Sequence, residues 1–232
     1  MGEHVEPLDR PVWASLTSLH AALAQGDALA KRYLPEINRF ASARDDSDEA
    51  LAALAALVQP ADPVFVLQVP EIRIPPGLVA SKTAKGVQMV AAALINAETG
   101  PDEVIPLGDA DAQEMLALAT LTEPGPFLRR THRMGRFVGI RIGGRLAAMA
   151  GERFSFPGCT EVSGVCTHPD FRGRGLARRL SRHVAAGIAE HGDMAFLHAW
   201  RTNAAAIRLY ESLGFRLRCE VNVAVLERQA RP

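Results

Sequence analysis

A chain of 232 residues, 48% hydrophobic and 22% charged, has the balance of a soluble globular protein and length for one large or two small domains with a proper core. No run of about 18 apolar residues occurs, which excludes a transmembrane helix. The acidic opening Met-Gly-Glu-His-Val-Glu-Pro lacks the apolar segment of a secretory signal, so the expected address is the cytoplasm.

The formal net charge of zero conceals an asymmetry. Residues 1–128 hold eight Lys and Arg against eighteen Asp and Glu, a net of −10; from residue 129 on the numbers reverse to a net of +10, and every Lys-or-Arg position is Arg. Arginine's planar fork suits phosphate oxygens, which biases the second half toward a phosphorylated ligand. Nucleic acid is the rival explanation for so many arginines, and the balanced total charge and lack of interleaved aromatics argue against it. Cys159, Cys166 and Cys219 are odd in number and lack metal-ligand spacing, so no disulfide framework and no metal site is expected.

In chain order, Pro11 opens a predicted helix with Trp13, Leu16, Leu19 and Leu23 inward, ending at Gly26. Asp27 caps a second, to about Leu34. The acidic run Asp45-Asp46-Ser47-Asp48-Glu49 starts a third, bearing Leu51, Leu54 and Val58, where negative charge favours the helix dipole. Val64 to Val69 reads as a buried strand, Pro75-Pro76-Gly77 as a turn, and Gly86 to Ile95 as an apolar element, strand or helix. A domain boundary is placed near Gly100, dividing a helical and mixed N-terminal domain, 1–100, from a second domain, 101–232.

The second part patterns more sharply. Val104 to Leu107 is a strand, and Asp109 or Asp111 caps a helix carrying Met115, Leu118 and Leu121 that stops at Glu123-Pro124-Gly125-Pro126. Phe137 to Ile142 and Arg145 to Phe154 form a hairpin about Gly143-Gly144. The strand Thr160 to Thr167 leads through a turn at Pro169-Asp170 into a glycine loop and a helix with Leu176, Leu180, Val184 and Ile188 on one stripe. A parallel strand, Ala195 to Trp200, a helix capped by Asn203 and ended by Gly214, and a strand, Phe215 to Leu226, complete an α/β fold: a mixed sheet with helices on its faces.

The loop Arg172-Gly173-Arg174-Gly175-Leu176-Ala177 carries the first functional signal. Glycines flanking Arg174 permit turn conformations closed to other residues and leave backbone N–H groups accessible, at a helix start whose dipole favours phosphate. Arg178 and Arg179 in the first turn oppose that dipole unless an anion is also present. Arg172-x-x-Gly175-x-Ala177, after a strand ending Val165-x-Thr167-x-Pro169, resembles the pyrophosphate loop of the GCN5-related N-acetyltransferases. Asn203-x-x-Ala206-x-x-x-Tyr210-x-x-x-Gly214-Phe215 resembles a second segment of that family, in its order and spacing.

The resemblance covers Val104 to Leu226 and implies the family's largely antiparallel sheet, acetyl-CoA as acyl donor, and a small-molecule, amino-acid or peptide amine as acceptor. It implies that the strands Thr160 to Thr167 and Ala195 to Trp200 splay, so that Val165, Cys166 and Thr167 offer unpaired backbone groups to the donor's arm, with Asn203 as a further contact. Tyr210 resembles the tyrosine that protonates the departing thiolate. Glu161 stands where histone-type members carry a catalytic glutamate, and is the expected general base; Glu123 and His132 are reserves. Direct transfer is expected over an acyl-Cys166 intermediate, since no histidine is positioned by sequence to activate the thiol. A module that binds acyl-CoA without catalysis is the alternative. Residues 1–100 read as a substrate-selecting cap, with a dimerisation element or a cover for apolar surface left open; the acceptor's identity is not legible.

Overall fold

The computed structural model describes residues 6–93, 100 and 103–229. The chain forms α1 (Pro11–Leu16), the short strands β1 (Ala24–Gly26), β2 (Ala30–Tyr33) and β3 (Ala41–Ala43), α2 (Asp48–Leu57), β4 (Val64–Gln68) and β5 (Leu78–Ala91). There follow β6 (Ile105–Leu107), α3 (Ala112–Thr122), β7 (Phe137–Ile142), β8 (Arg145–Phe156), β9 (Cys159–Thr167), α4 (Leu176–Glu190), β10 (Met194–Trp200), α5 (Ala204–Ser212) and β11 (Phe215–Arg228).

Local chemistry sets most of these boundaries. Ser47 Oγ accepts the Ala50 N–H and caps α2. Gly143 and Gly144, at φ of 58° and 80°, form the two-residue turn of the β7–β8 hairpin. Two expectations near the start need correction. α1 stops at Leu16 rather than Gly26, and Leu19 is exposed. Asp27 caps no helix: its Oδ1 accepts from the N–H groups of Leu29 and Ala30 at 2.8 and 3.1 Å, and the chain enters β2, which pairs with both β1 and β3. An Asx turn uses the same bonds as a helix cap, so the residue type alone does not separate them. The apolar element after Gly86 is the end of strand β5; residues 94 and 95 of it lie outside the described residues.

Eight strands form one mixed, largely antiparallel sheet in the order β4-β11-β5-β10-β9-β8-β7-β6, and β1 to β3 form a second, small sheet. Only the pairing of β9 with β10 is parallel among the named strands of the large sheet. This topology corrects the division near Gly100. β5, from the first hundred residues, lies between β10 and β11, and β4 lies on the outer side of β11. Met89 and Val87 of β5 are buried in the same cluster as Leu180 of α4 and Phe215 of β11. Burying each contributes about 1.5–3 kcal/mol, so the N-terminal segment, expected as a separate domain, is part of the same core.

Phe196 and Leu197, successive residues of β10, point to opposite faces of the sheet. Leu197 packs with Leu180, Val184 and Ile188 of α4, whereas Phe196 packs with Val12 and Leu16 of α1 and with Tyr33 and Phe154. A bulge in β11 leaves Arg218 outside the β5 register, between the pairs Leu217–Met89 and Cys219–Gln88. Its guanidinium donates to Glu6, Asp9 and Gln88, tying the start of the described chain to the middle of the sheet.

Candidate functional site

β9 and β10 pair at only three positions, Cys159–Met194, Thr160–Ala195 and Glu161–Phe196. Beyond them β9 continues on β8 as far as Thr167, and β10 continues on β5 as far as Trp200. The two strands therefore separate, and the facing backbone groups of residues 162–167 lack ladder partners on that side. The α4 helix follows β9 through residues 168–175. Gly175 is its N-cap at φ +74°, and Gly173 is at φ +77°. A Cβ at either would meet nothing within 4 Å, so glycine serves the left-handed backbone, in front of which the space is open.

The ten residues expected at the donor site, Val165, Cys166, Thr167, Arg172 through Ala177, and Asn203, all line one cavity of about 660 Å³. The lining fits a polyanion with amide groups. Among the described residues it contains no carboxylate, it ends on the first turn of α4, and Thr167 Oγ1 is buried without a hydrogen-bond partner. Arg178 also lines it and donates to Ser212 Oγ at 2.8 Å; Arg179 turns instead toward the Gly100 carbonyl. Arg174 lies over the Phe171 ring at 5.4 Å.

A second cavity, of about 240 Å³, shares Thr122, Val165, Asn203 and Ala206 with the first, so the two meet through the gap between the strands. Tyr210 lines it, seven residues and two helical turns after Asn203, whose side chain accepts the Ala206 N–H. Burial, reinforced by the negative charge of Glu161, pushes the phenol up to about 12. Its opposite walls come from Phe40, Phe65, Leu67, Val221 and Val223, and its polar groups include Glu123, Arg153 and His198.

Glu161 lines neither cavity. It is fully buried, and its carboxylate accepts from Arg153 Nε and Nη2 at 2.8 and 2.6 Å and from His198 Nδ1 at 2.7 Å. Burial by itself would raise its pKa, but the charge of Arg153 and the hydrogen bonds from Arg153 and His198 outweigh this and hold it well below the carboxylate range. A carboxylate so enclosed cannot touch an acceptor amine, which corrects its expected role as base. His198 is similarly engaged: Gln88 Nε2 lies 3.1 Å from its Nε2, while Gln88 Oε1 accepts from Arg218 and Gln88 Nε2 donates to the Leu8 carbonyl. This network assigns the imidazole hydrogen to Nδ1. His132 contacts Asp109 at 2.7 Å and lies outside both cavities.

With this geometry the chain can be compared with known proteins. The family model described as FR47-like protein matches residues 137–224, from β7 into β11. A solved GNAT-family structure from Novosphingobium aromaticivorans is 44% identical, with a TM-score of 0.91 over 97% of this chain and 100% of that one. The chain belongs to the GNAT family of acetyltransferases. N-alpha-acetyltransferase RimI of Mycobacterium tuberculosis is 32% identical over 135 residues, 53% of this chain and 83% of that protein. [Ribosomal protein bS18]-alanine N-acetyltransferase of Salmonella typhimurium is 44% identical over 52 residues, which span 22% of this chain and only 35% of that relative's length. The GCN5-related N-acetyltransferase of Kribbella flavida, 18% identical, shares the fold with a TM-score of 0.66 over 95% of this chain. As a GNAT protein the chain is an N-acetyltransferase, of a family whose acyl donor is acetyl-CoA.

In this GNAT chain the residues that sequence reasoning missed are Phe40, Phe65, Leu67 and Arg153. Phe65 and Leu67 come from the stretch Val64 to Val69, read only as a buried strand, and Phe40 from a stretch to which no element was assigned. Arg153 alternates within β8 like any strand side chain; its place at the cavity wall follows from its ion pair with Glu161. Among the described residues no group of three or more His, Cys, Asp or Glu is arranged to hold a metal, and no helix is long and apolar enough to cross a membrane.

Proposed function

We propose that this protein transfers the acetyl group of acetyl-CoA directly to a primary amine that enters through the cavity carrying Tyr210. The observation that supports this most is the junction of the two cavities at Val165 and Asn203: a donor on one side of the gap and an acceptor on the other would meet beside Tyr210. The donor supplies an acetyl group already activated as a thioester.

The chain's own residues divide the remaining work. The backbone of Gly173 to Gly175 and the first turn of α4 hold phosphate by hydrogen bonds and the helix dipole, with Arg172 and Arg174 adding charge. The free side of β9 from Val165 to Thr167 pairs with the donor's amides as a neighbouring strand would, and the N–H of Val165 or Cys166 holds the carbonyl oxygen as it gains charge. Tyr210 Oη keeps its proton at neutral pH and gives it to the departing sulfur. Cys166 is no nucleophile, because burial pushes its thiol up to about 11 and the thiolate is the reactive form. Glu161 balances the Arg153 charge and so holds that side chain against the acceptor cavity.

Residues 1–100 contribute Phe40, Phe65 and Leu67 to the acceptor cavity, which supports their reading as substrate-selecting walls built into the sheet. A peptide α-amine is the acceptor class favoured by similarity to the RimI and bS18-alanine enzymes; small primary amines are the second class. The test is thiol release from acetyl-CoA across a panel of peptides, amino acids and simple amines. Amine-dependent release with an acetylated product supports the proposal, and coenzyme A binding with no release for any amine sinks it.

A further inference from the structure

With Glu161 enclosed, the acceptor cavity needs another group to receive the amine, and Glu123 is distinguished by three observations. It is the one carboxylate among the cavity's described lining residues. Its side chain has no hydrogen-bond or ion-pair partner among the described residues, although α3 and β8 bring Arg153 to the same cavity, and Arg153 Nε and Nη2 are already committed to Glu161. Its backbone is in the left-handed region, at φ 49° and ψ 53°.

That conformation is costly for glutamate at this place. Glu123 is the residue after the last turn of α3, where its N–H donates to the Ala119 carbonyl at 2.8 Å; such a helix stop is ordinarily taken by glycine, which has no Cβ to clash. Pro124 follows directly and disfavours compact conformations in the residue before it, favouring an extended one. Two local preferences are therefore overridden at an exposed residue whose side chain makes no hydrogen bond or ion pair among the described residues to offset them. Backbone strain held beside a cavity points to a use for the side chain.

We infer that Glu123 receives the acceptor's ammonium group and takes its proton, so that the acceptor is a cationic primary amine carried on an apolar group. The inference rests on the acetyl-transfer reading above and deepens it. The amine arrives protonated at neutral pH, since α-amines titrate near about 8. The Glu123 carboxylate pairs with it and removes one proton, directly or through a water, and later passes it to solvent; the nitrogen lone pair forms the new N–C bond as the C–S bond breaks, Tyr210 delivers a proton to the sulfur, and the second proton, shed by the acylated nitrogen, restores the Tyr210 phenol. The apolar part of the acceptor lies against Phe65, Leu67 and Val223. An anionic or hydroxyl acceptor gains nothing from such a site.

The experiment uses the full chain with two substitutions, Glu123→Gly and Glu123→Gln. Glycine suits the left-handed position, so Glu123→Gly should melt at a higher temperature than wild type, bind coenzyme A equally well by calorimetry, and lose about 10²-fold in kcat/KM for the amine. Glu123→Gln keeps the size of the side chain without its charge; its deficit should be largest at pH 7 and shrink as pH rises past the amine's own titration. Direct binding of phenethylamine to the coenzyme A complex, followed by calorimetry, separates this inference from the reading it rests on: affinity should fall at least tenfold in Glu123→Gln even if the wild type proved to release no thiol. A Glu123→Gly protein that is more stable and fully active, or unchanged amine affinity in Glu123→Gln, would overturn the inference and return Glu123 to the role of a helix stop.

Discussion

Arg153 and Glu161 face each other across β8 and β9 with Nη2 2.6 Å from Oε1, the arginine side chain 11% exposed and the carboxylate not at all. The pair stands beside the gap in the sheet, and Arg153 also stacks over Phe40 and Phe154 at 4.9 and 4.5 Å. Removing one partner leaves the other charged and buried, so Glu161→Gln should cost about 3 to 5 kcal/mol of stability. Chemical denaturation measures this. The folded pKa of Glu161 lies below its unfolded value, so its contribution is complete above the ordinary carboxylate range and is lost as pH falls through the folded value. Wild-type stability should thus decline on acidification more steeply than that of Glu161→Gln, and parallel acid profiles would refute the coupling.

Tyr210→Phe should leave coenzyme A affinity near wild type and lower turnover by about 10²-fold, the scale of a lost general acid. Because the phenol is pushed up to about 12, the wild-type rate should show no loss from tyrosine ionisation between neutral pH and pH 10. Retained turnover in the phenylalanine variant would make Tyr210 a packing residue against Phe215, whose ring it meets edge-on at 6.0 Å.

Gly175→Glu should abolish coenzyme A binding while the protein remains folded. A Cβ there meets open space, so the structural cost is the left-handed backbone alone, about 1 to 2 kcal/mol. The carboxylate would then occupy the place of a phosphate with the same sign of charge. Calorimetry on a variant with wild-type circular dichroism decides the matter, and undiminished affinity would move the donor site elsewhere.

A chain shortened to residues 102–232 should fail to fold. It would lack β5, leaving β10 and β11 without the strand that joins them and exposing the surface that buries Val87 and Met89. Dispersed amide resonances and a cooperative thermal transition in that fragment would contradict this topology.

The cavity proposed for the donor was legible in the sequence because its signals are local. Gly173 and Gly175 declare a backbone that other residues resist, the stripe from Leu176 to Ile188 declares the helix that follows, and Asn203 to Phe215 carries its own cap and stop. Each feature depends on residues a few positions apart, which is the range over which propensity and periodicity act. Tertiary structure decided the cavity proposed for the acceptor and the fate of Glu161. The insertion of β5 between β10 and β11 pairs residues more than 100 positions apart, and no local pattern specifies which strand takes that place. Glu161 read as a strand carboxylate able to act as base until Arg153 and His198 closed on it, with Gln88 and Leu8 fixing His198 in turn, from four separate segments. Burial and charge pairing are properties of that assembly, and they turned the expected base into a buried counter-ion while leaving Glu123, on the loop after α3, open to the cavity.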